Sequence, residues 1–395
     1  MAFRRRSGVF LFLAVVAGVA AYLVATRLGY VDRLESRVFP EAKGRLTLST
    51  GDFPAGVAAP VGDIASVPLR PTLIGFTPRG SAAALLLATG GATATGQEPR
   101  VERHMDGLFK TAYALDARAV VFAKEEDLRK ALAFGAEKGG VDMAAIAVDR
   151  LAQWSASLRD ASPRVVLLVG RSRGQEALAT VGVKTLPELK GKRIAAYPQS
   201  SSYYFALWLL SRAGLGIRDV TWVELASSLD AGTALREGRA DAAVGMLGDV
   251  ELAARDRGGQ VIASTADAPH LIATVLVTRG DFAARYPDAV RRVLRGLLDA
   301  GSAVLKDPAP AGRMLGDVAP YLGDPAEAIR SAPPANLKDN LAFFGLSGEA
   351  PVTYDELFHS AAALFQKMGK TSVIPTAEDT RDLGALKYVS EARGP

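Results

Sequence analysis

Arg193-Ile-Ala-Ala-Tyr-Pro-Gln-Ser-Ser-Ser-Tyr-Tyr-Phe-Ala-Leu-Trp-Leu-Leu-Ser-Arg-Ala-Gly214 carries a complete strand–turn–helix unit. Residues 193–197 are a short apolar run of strand length, with no alternating polar face. Pro198 and the hydroxyl-rich Gln199–Ser202 stretch break that strand and open a helix that runs to Ala213. Gly214 supplies the left-handed conformation that ends it. A strand apolar on both faces that feeds directly into a helix belongs to a parallel sheet covered by helices on both sides.

The same alternation extends in both directions. Toward the C-terminus it predicts strands at Val220–Leu225, Ala242–Gly245, Val261–Ser264 and Leu271–Thr278, with helices at Leu229–Glu237 and Asp249–Arg257. Toward the N-terminus it predicts strands at Arg164–Val169, Val141–Ile146, Ala117–Phe122 and Thr72–Phe76, with helices between them. Gly90–Pro99 reads as a loop. Beyond Thr278 the pattern turns helical, over Pro287–Leu305 and Tyr354–Met368. One element occurs twice: Ala131-Leu132 leads through Gly139 and Gly140 to Asp142 and a buried strand, and Ala234-Leu235 leads through Gly238 to Asp241 and another. Two similarly built lobes account for this, although helix–Gly–acid–strand is also common in α/β chains at large.

Composition narrows the function. The chain has 395 residues, 49% hydrophobic and 23% charged, with a formal net charge of +5. It has no cysteine and three histidines far apart in sequence, which excludes thiolate chemistry and disulfides and leaves no cofactor or metal to expect. Basic and acidic residues interleave without an aromatic-studded basic stripe, so nucleic acid is not expected as a partner. Arg4–Arg6 precede a charge-free run from Gly8 to Thr26, long enough to span the ~30 Å hydrocarbon core and oriented to export the body of the chain. We expect residues 1–28 to be an uncleaved transmembrane signal-anchor holding a periplasmic body on the inner membrane. The other reading is a cleaved signal that leaves a soluble periplasmic protein. Residues 29–70 read as a linker or ancillary segment.

Several stretches together resemble the periplasmic substrate-binding proteins of ABC transporters, of the nitrate/taurine/sulfonate type. They are Thr72–Phe76, Asp106-Gly-Leu-Phe-Lys with the Ala-Leu-Asp-Ala-Arg-Ala-Val stretch after it, the two helix–Gly–Asp elements, Phe282–Pro287, and above all Leu186-Pro-Glu-Leu-Lys-Gly-Lys-Arg-Ile-Ala195. The chain departs from that pattern in an insertion from Gly90 to Arg103 and in lacking a lipobox cysteine. The resemblance implies an α/β fold of two lobes, each a doubly wound sheet, joined by two crossover strands. Lobe 1 would span 71–163 and 271–370, lobe 2 would span 164–270, hinges would fall near Val165–Val169 and Leu271–Val275, and 371–395 would be a C-terminal tail. It also implies a solute-binding component that captures a small molecule and delivers it to an ABC permease. A membrane-anchored sensor or envelope scaffold, paired with another inner-membrane protein, is the alternative. A lyase or transferase on the same fold is the third reading, and the chain shows no Ser–His–Asp set, phosphate loop or metal-spaced carboxylates to support it.

Ligands of open α/β sheets bind beyond the carboxyl ends of strands, where helices begin. Two loops meet that condition. Thr77-Pro-Arg-Gly-Ser81 offers Thr77, Arg79, Gly80 and Ser81. Pro198–Ser202 offers Gln199, Ser200, Ser201 and Ser202, with Tyr203 as a wall. Backbone donors, hydroxyls and the Arg79 guanidinium suit a small anion or zwitterion. The serines serve equally well as plain helix caps. A third loop offers Met246 and Asp249, the latter as a ligand for an ammonium or hydroxyl or as a cap. Asp142 and Asp241 stand at the opposite strand ends and read as structural, as does His270 near the hinge.

Overall fold

The computed structural model describes residues 67–94, 107–369 and 375–392. The N-terminal span expected at 1–28 and the linker expected at 29–70, up to residue 66, lie outside them. Among the described residues, no helix is long and apolar enough to cross a membrane. Their strands, in chain order, are β1 (Thr72–Phe76), β2 (Ala92–Ala94), β3 (Ala117–Val121), β4 (Met143–Ala147), β5 (Arg164–Arg171), β6 (Glu176–Thr180), β7 (Arg193–Ala196), β8 (Thr221–Glu224), β9 (Ala242–Met246), β10 (Gln260–Ser264) and β11 (Ala273–Thr278). They form a six-stranded sheet, ordered β2-β3-β1-β4-β11-β5, and a five-stranded sheet, ordered β10-β6-β9-β7-β8.

Both sheets are mixed, which corrects the expectation of parallel ones. The strands that helices connect within a lobe are parallel: β3, β1 and β4 in the first, β8, β7 and β9 in the second. The strands that arrive from the other lobe run the opposite way. β6 enters antiparallel to β9, and β11 enters antiparallel to both β4 and β5. β4, β6 and β11 are buried along their whole length, as the apolar runs of β4 and β11 require.

A second correction concerns residues 164–171, expected in the second lobe. They form β5, the edge strand of the first sheet. The chain passes between the sheets over residues 172–175 and returns over 265–272. The two crossings are tied together: Ser172 N–H donates to Ile272 O (2.9 Å), Thr265 N–H donates to Glu176 O (2.9 Å), and the Ser172 and Thr265 hydroxyls lie 2.7 Å apart. The loop expected from Gly90 starts with β2, a short strand beside β3, before the chain leaves the described residues at 95.

Both helix–Gly–acid–strand elements are built alike. Asp142 accepts from Leu73 N–H (3.0 Å) and from both terminal nitrogens of Arg70. Asp241 accepts from Arg193 N–H (3.0 Å) and from the Arg193 guanidinium. Each carboxylate thereby fixes the amino end of its own strand to that of the neighbouring parallel strand.

The Pro287–Lys306 helix packs its apolar face on the first lobe, with Val293, Leu294 and Leu298 buried. The C-terminal residues 375–392, expected to be a tail, close back onto that lobe. Asp382 N–H donates to Val165 O (2.9 Å), Arg381 pairs with Asp355 (2.9 Å), and Leu386 and Val389 of the Gly384–Glu391 helix are fully buried. The Tyr354–Lys367 helix reaches the second lobe, where Phe365 meets Tyr204 at 5.7 Å between ring centroids.

Candidate functional site

The carboxyl ends of β1 and β4 in the first lobe, and of β7 in the second, converge on one cleft. From the first lobe, the turn after β1 brings Thr77, Arg79 and Ser81, the helix start after β3 brings Glu125, and the helix start after β4 brings Asp149 and Arg150. From the second lobe come the Pro198–Ser202 turn after β7 and Glu176 at the start of β6. A small cavity of about 20 Å³ lies on the first lobe's side of this cleft, lined by Thr77, Arg79, Ser81, Glu125, Arg150 and Trp154 along with other residues of that lobe. That is room for little more than one water.

The cleft is held by direct bonds between the lobes. Arg79 Nη1 donates to Glu176 Oε1. Arg150 Nη1 donates to Pro198 O (3.3 Å), Trp154 Nε1 to Gln199 Oε1 (3.2 Å), and the Ser201 hydroxyl to Asp149 Oδ1 (3.1 Å). Within the first lobe, Arg79 Nη2 donates to Glu125 Oε1 (3.0 Å) and Arg150 Nε donates to Asp149 Oδ2 (2.7 Å). The Asp149 and Arg150 side chains are each 1% exposed and the Glu176 side chain 0%, which is tolerable only because each is paired. The Phe365 ring faces the Arg150 guanidinium at 5.1 Å.

Two arginines and three carboxylates therefore share the cleft. Burial works against the Arg79 charge, yet Glu176 and Glu125 outweigh it and hold the guanidinium above its ordinary pKa. Burial pushes the Glu125 carboxyl up, and Arg79 offsets this only in part. Two of the residues lining the cavity each carry a buried polar atom with no hydrogen-bond partner among the described residues: Arg150 Nη2, a donor, and Glu125 Oε2, an acceptor.

Several expected ligand residues do other work. Arg79 is not a free anion site, because its terminal nitrogens are engaged by carboxylates. Gly80 is a packing position: a Cβ there would come within 1.7 Å of Ala328 O. Ser200 is the helix cap, accepting from Tyr203 N–H (3.2 Å), and Ser202 is buried. Tyr203 packs edge-on against Trp222, with centroids 4.8 Å apart, so it is core rather than wall. Asp249 accepts from Gly232 N–H (2.9 Å) inside its own lobe, and Met246 pairs with Glu176 across β9 and β6. Thr77, Arg79, Ser81, Gln199 and Ser201 do come together.

Sequence reasoning missed Glu125, Asp149, Arg150, Trp154 and Glu176. Asp149 and Arg150 carried a usable signal: adjacent opposite charges between Ala147-Val148 and Leu151-Ala152, at a strand's carboxyl end. Glu176 carried none, because Gln175-Glu-Ala-Leu-Ala179 has the composition of a helix.

Comparison with known proteins agrees with this architecture. A family model described as NMT1/THI5 like matches residues 173–311. No curated protein sequence matches the chain. Among solved structures, the alkanesulfonate-binding protein SsuA from Xanthomonas axonopodis pv. citri, bound to MOPS, superposes with a TM-score of 0.58 at 20% identity, covering 79% of this chain and 98% of that one. The periplasmic nitrate-binding protein NrtA from Synechocystis PCC 6803 gives 0.54 at 12%, covering 82% and 93%. The desulfurization enzyme DSZB gives 0.53 at 12%, covering 82% and 100%. At these identities the likeness establishes the two-lobe periplasmic-binding-protein fold, which serves binding proteins and an enzyme alike.

Proposed function

We propose that this chain is an extracytoplasmic solute-binding protein whose lobes close on a small zwitterion and present it to an ABC importer. The observation that carries the reading is a pair of unpartnered buried atoms on two residues that line the first-lobe cavity beside the cleft, Arg150 Nη2 and Glu125 Oε2. A buried polar atom without a partner costs free energy of about 1–3 kcal/mol, which a ligand that supplies the missing partner recovers. An anionic group accepts from Arg150 and an ammonium donates to Glu125. A plain anion suits the cleft poorly, because the five charged side chains sum to one negative charge when all are ionised. The sulfonate- and nitrate-binding neighbours support solute capture as the use of this fold. Arg4–Arg6 and the apolar run after them support export.

Calorimetry on the full chain tests this with taurine, amino acids and unsubstituted alkanesulfonates. A zwitterion should bind and raise the melting temperature. Arg150→Gln should weaken it roughly 10- to 150-fold, the value of one charge-assisted hydrogen bond. Binding of an uncharged aromatic with no zwitterion binding would sink the proposal.

One observation favours a second reading, an envelope sensor or scaffold: the protein's own side chains join the lobes at four points across the cleft. Co-purification with a signalling protein instead of a permease would select it.

A further inference from the structure

Glu176 stands where a ligand's anionic group would be expected, against the arginine that the first cleft loop presents. Its side chain is wholly buried. Oε1 accepts from Arg79 Nη1, and Oε2 accepts from the Ser172 hydroxyl. Ser172 lies on the first crossing and touches Thr265 on the second, and Thr265 Oγ1 accepts from Glu176 N–H (3.2 Å). The carboxylate is thus fixed from behind by both crossings while it holds the guanidinium in front. Glu125 takes the other terminal nitrogen of the same guanidinium (3.0 Å).

We propose that Glu176 is a specificity determinant: a built-in carboxylate that occupies Arg79 and excludes simple anions from the cleft. This deepens the solute-binding reading and rests on it. A free sulfonate or carboxylate reaching Arg79 must displace Glu176, and then sits between Glu176 and Glu125, leaving one carboxylate buried without its cation. Both consequences oppose binding. Glu176 cannot swing away to avoid them, because its backbone is in β6 and Ser172 grips its other oxygen. Recognition then falls to Arg150 and Glu125, which favour a ligand carrying both charges. Specificity is obtained here by penalising the wrong ligand.

The test is a gain of function on the full chain, with ethanesulfonate and taurine as probes. Glu176→Gln keeps the shape and an acceptor for Ser172 but removes one of the two carboxylates that neutralise Arg79, leaving Glu125. Ethanesulfonate affinity should rise roughly 10- to 150-fold over the unsubstituted protein, the value of a charge-assisted bond. Adding Arg79→Gln to that variant should abolish the gain. A merely structural glutamate predicts no gain for any ligand, so a folded Glu176→Gln protein with unchanged ethanesulfonate affinity overturns the proposal. If that variant loses its cooperative melt, Glu176→Asn is read instead. It removes the charge and keeps a shorter amide on β6, so ethanesulfonate affinity must again rise, and no rise overturns the proposal. Ethanesulfonate binding as tight as taurine binding in the unsubstituted protein also overturns it. Absence of taurine binding alone counts against the zwitterion reading and leaves the role of Glu176 to be decided by the ethanesulfonate gain.

Discussion

β4 in the first lobe and β9 in the second begin in the same way and end differently. Asp142 and Asp241 stand just before them, each accepting from a neighbouring strand's N–H and from an arginine. At their carboxyl ends, β4 runs into Asp149-Arg150, whose charges are buried facing the other lobe. β9 runs into Leu247-Gly248-Asp249, where the aspartate turns back to Gly232 N–H. The amino ends serve the fold, which both lobes need equally. The carboxyl ends serve the cleft, and the first lobe supplies most of its charge. The second lobe contributes mainly neutral groups (Pro198 O, Gln199, Ser201), with Glu176 as its charged member.

That asymmetry can be broken most forcefully at Arg150. Arg150→Ala leaves Asp149 buried with only the Ser201 hydroxyl, and removes a contact to the second lobe. Removing one partner of a buried pair should destabilise the protein by about 3–5 kcal/mol in urea unfolding. Asp249→Ala, at the corresponding place in the second lobe, loses one bond to a backbone N–H and should cost roughly 1–3 kcal/mol. Equal losses would show that the two strand ends are not energetically distinct.

Glu125 gives a pH test of the same asymmetry. Burial raises its pKa, so its neutral form persists to higher pH than in an ordinary glutamate. An ammonium ligand binds the ionised form, so binding expels a proton. Affinity should therefore rise with pH through the raised pKa and level off above it, by at most about tenfold per pH unit. Glu125→Gln should flatten the profile. Proton release is read by calorimetry in buffers of different ionisation enthalpy, and its absence would remove Glu125 from the ligand's contacts.

How much of this was legible in the sequence obeys the same division. The parallel strands announced themselves, because burial on both faces forces runs such as Ile194-Ala-Ala196 and Met143-Ala-Ala-Ile146. The repeat around Asp142 and Asp241 was legible because its helix, glycine, acid and strand follow one another along the chain, although the partners of the carboxylates lie far away in sequence. β6 was not, since Glu176 and Ala177–Thr180 gain strand geometry only by pairing with β9 and β10, far along the chain. For the cleft, loops at strand ends were placed by topology alone, which put Thr77, Arg79, Ser81, Gln199 and Ser201 together. The role of Arg79 was misread because its partner Glu176 is ninety-seven residues away. A lone arginine in a loop looks like a ligand clamp until its counter-charge is known.

The smallest expected difference lies between the two supporting aspartates. The Asp142 side chain is 3% exposed, whereas that of Asp241 is 31% exposed and its arginine 46%. Asp142→Ala strands a buried strand N–H and one side of a bidentate pair, and should cost roughly 1.5–3 kcal/mol. Asp241→Ala acts in solvent and should cost about 1 kcal/mol or less. The Asp241 contribution has a predictable pH window. The Arg193 side-chain bond holds its pKa below the ordinary carboxylate value, so the folded state binds the proton less readily than the unfolded one. Its stabilisation is therefore complete above the unfolded value near 3.9 and is lost as pH falls through the lower folded value. Urea unfolding of the unsubstituted protein and Asp241→Ala should differ by a constant amount from neutral pH down to about pH 5 and converge below the folded value. A difference that persists undiminished in acid would assign the effect to the backbone turn at Gly238–Asp241 and remove the carboxylate from the account of the second lobe.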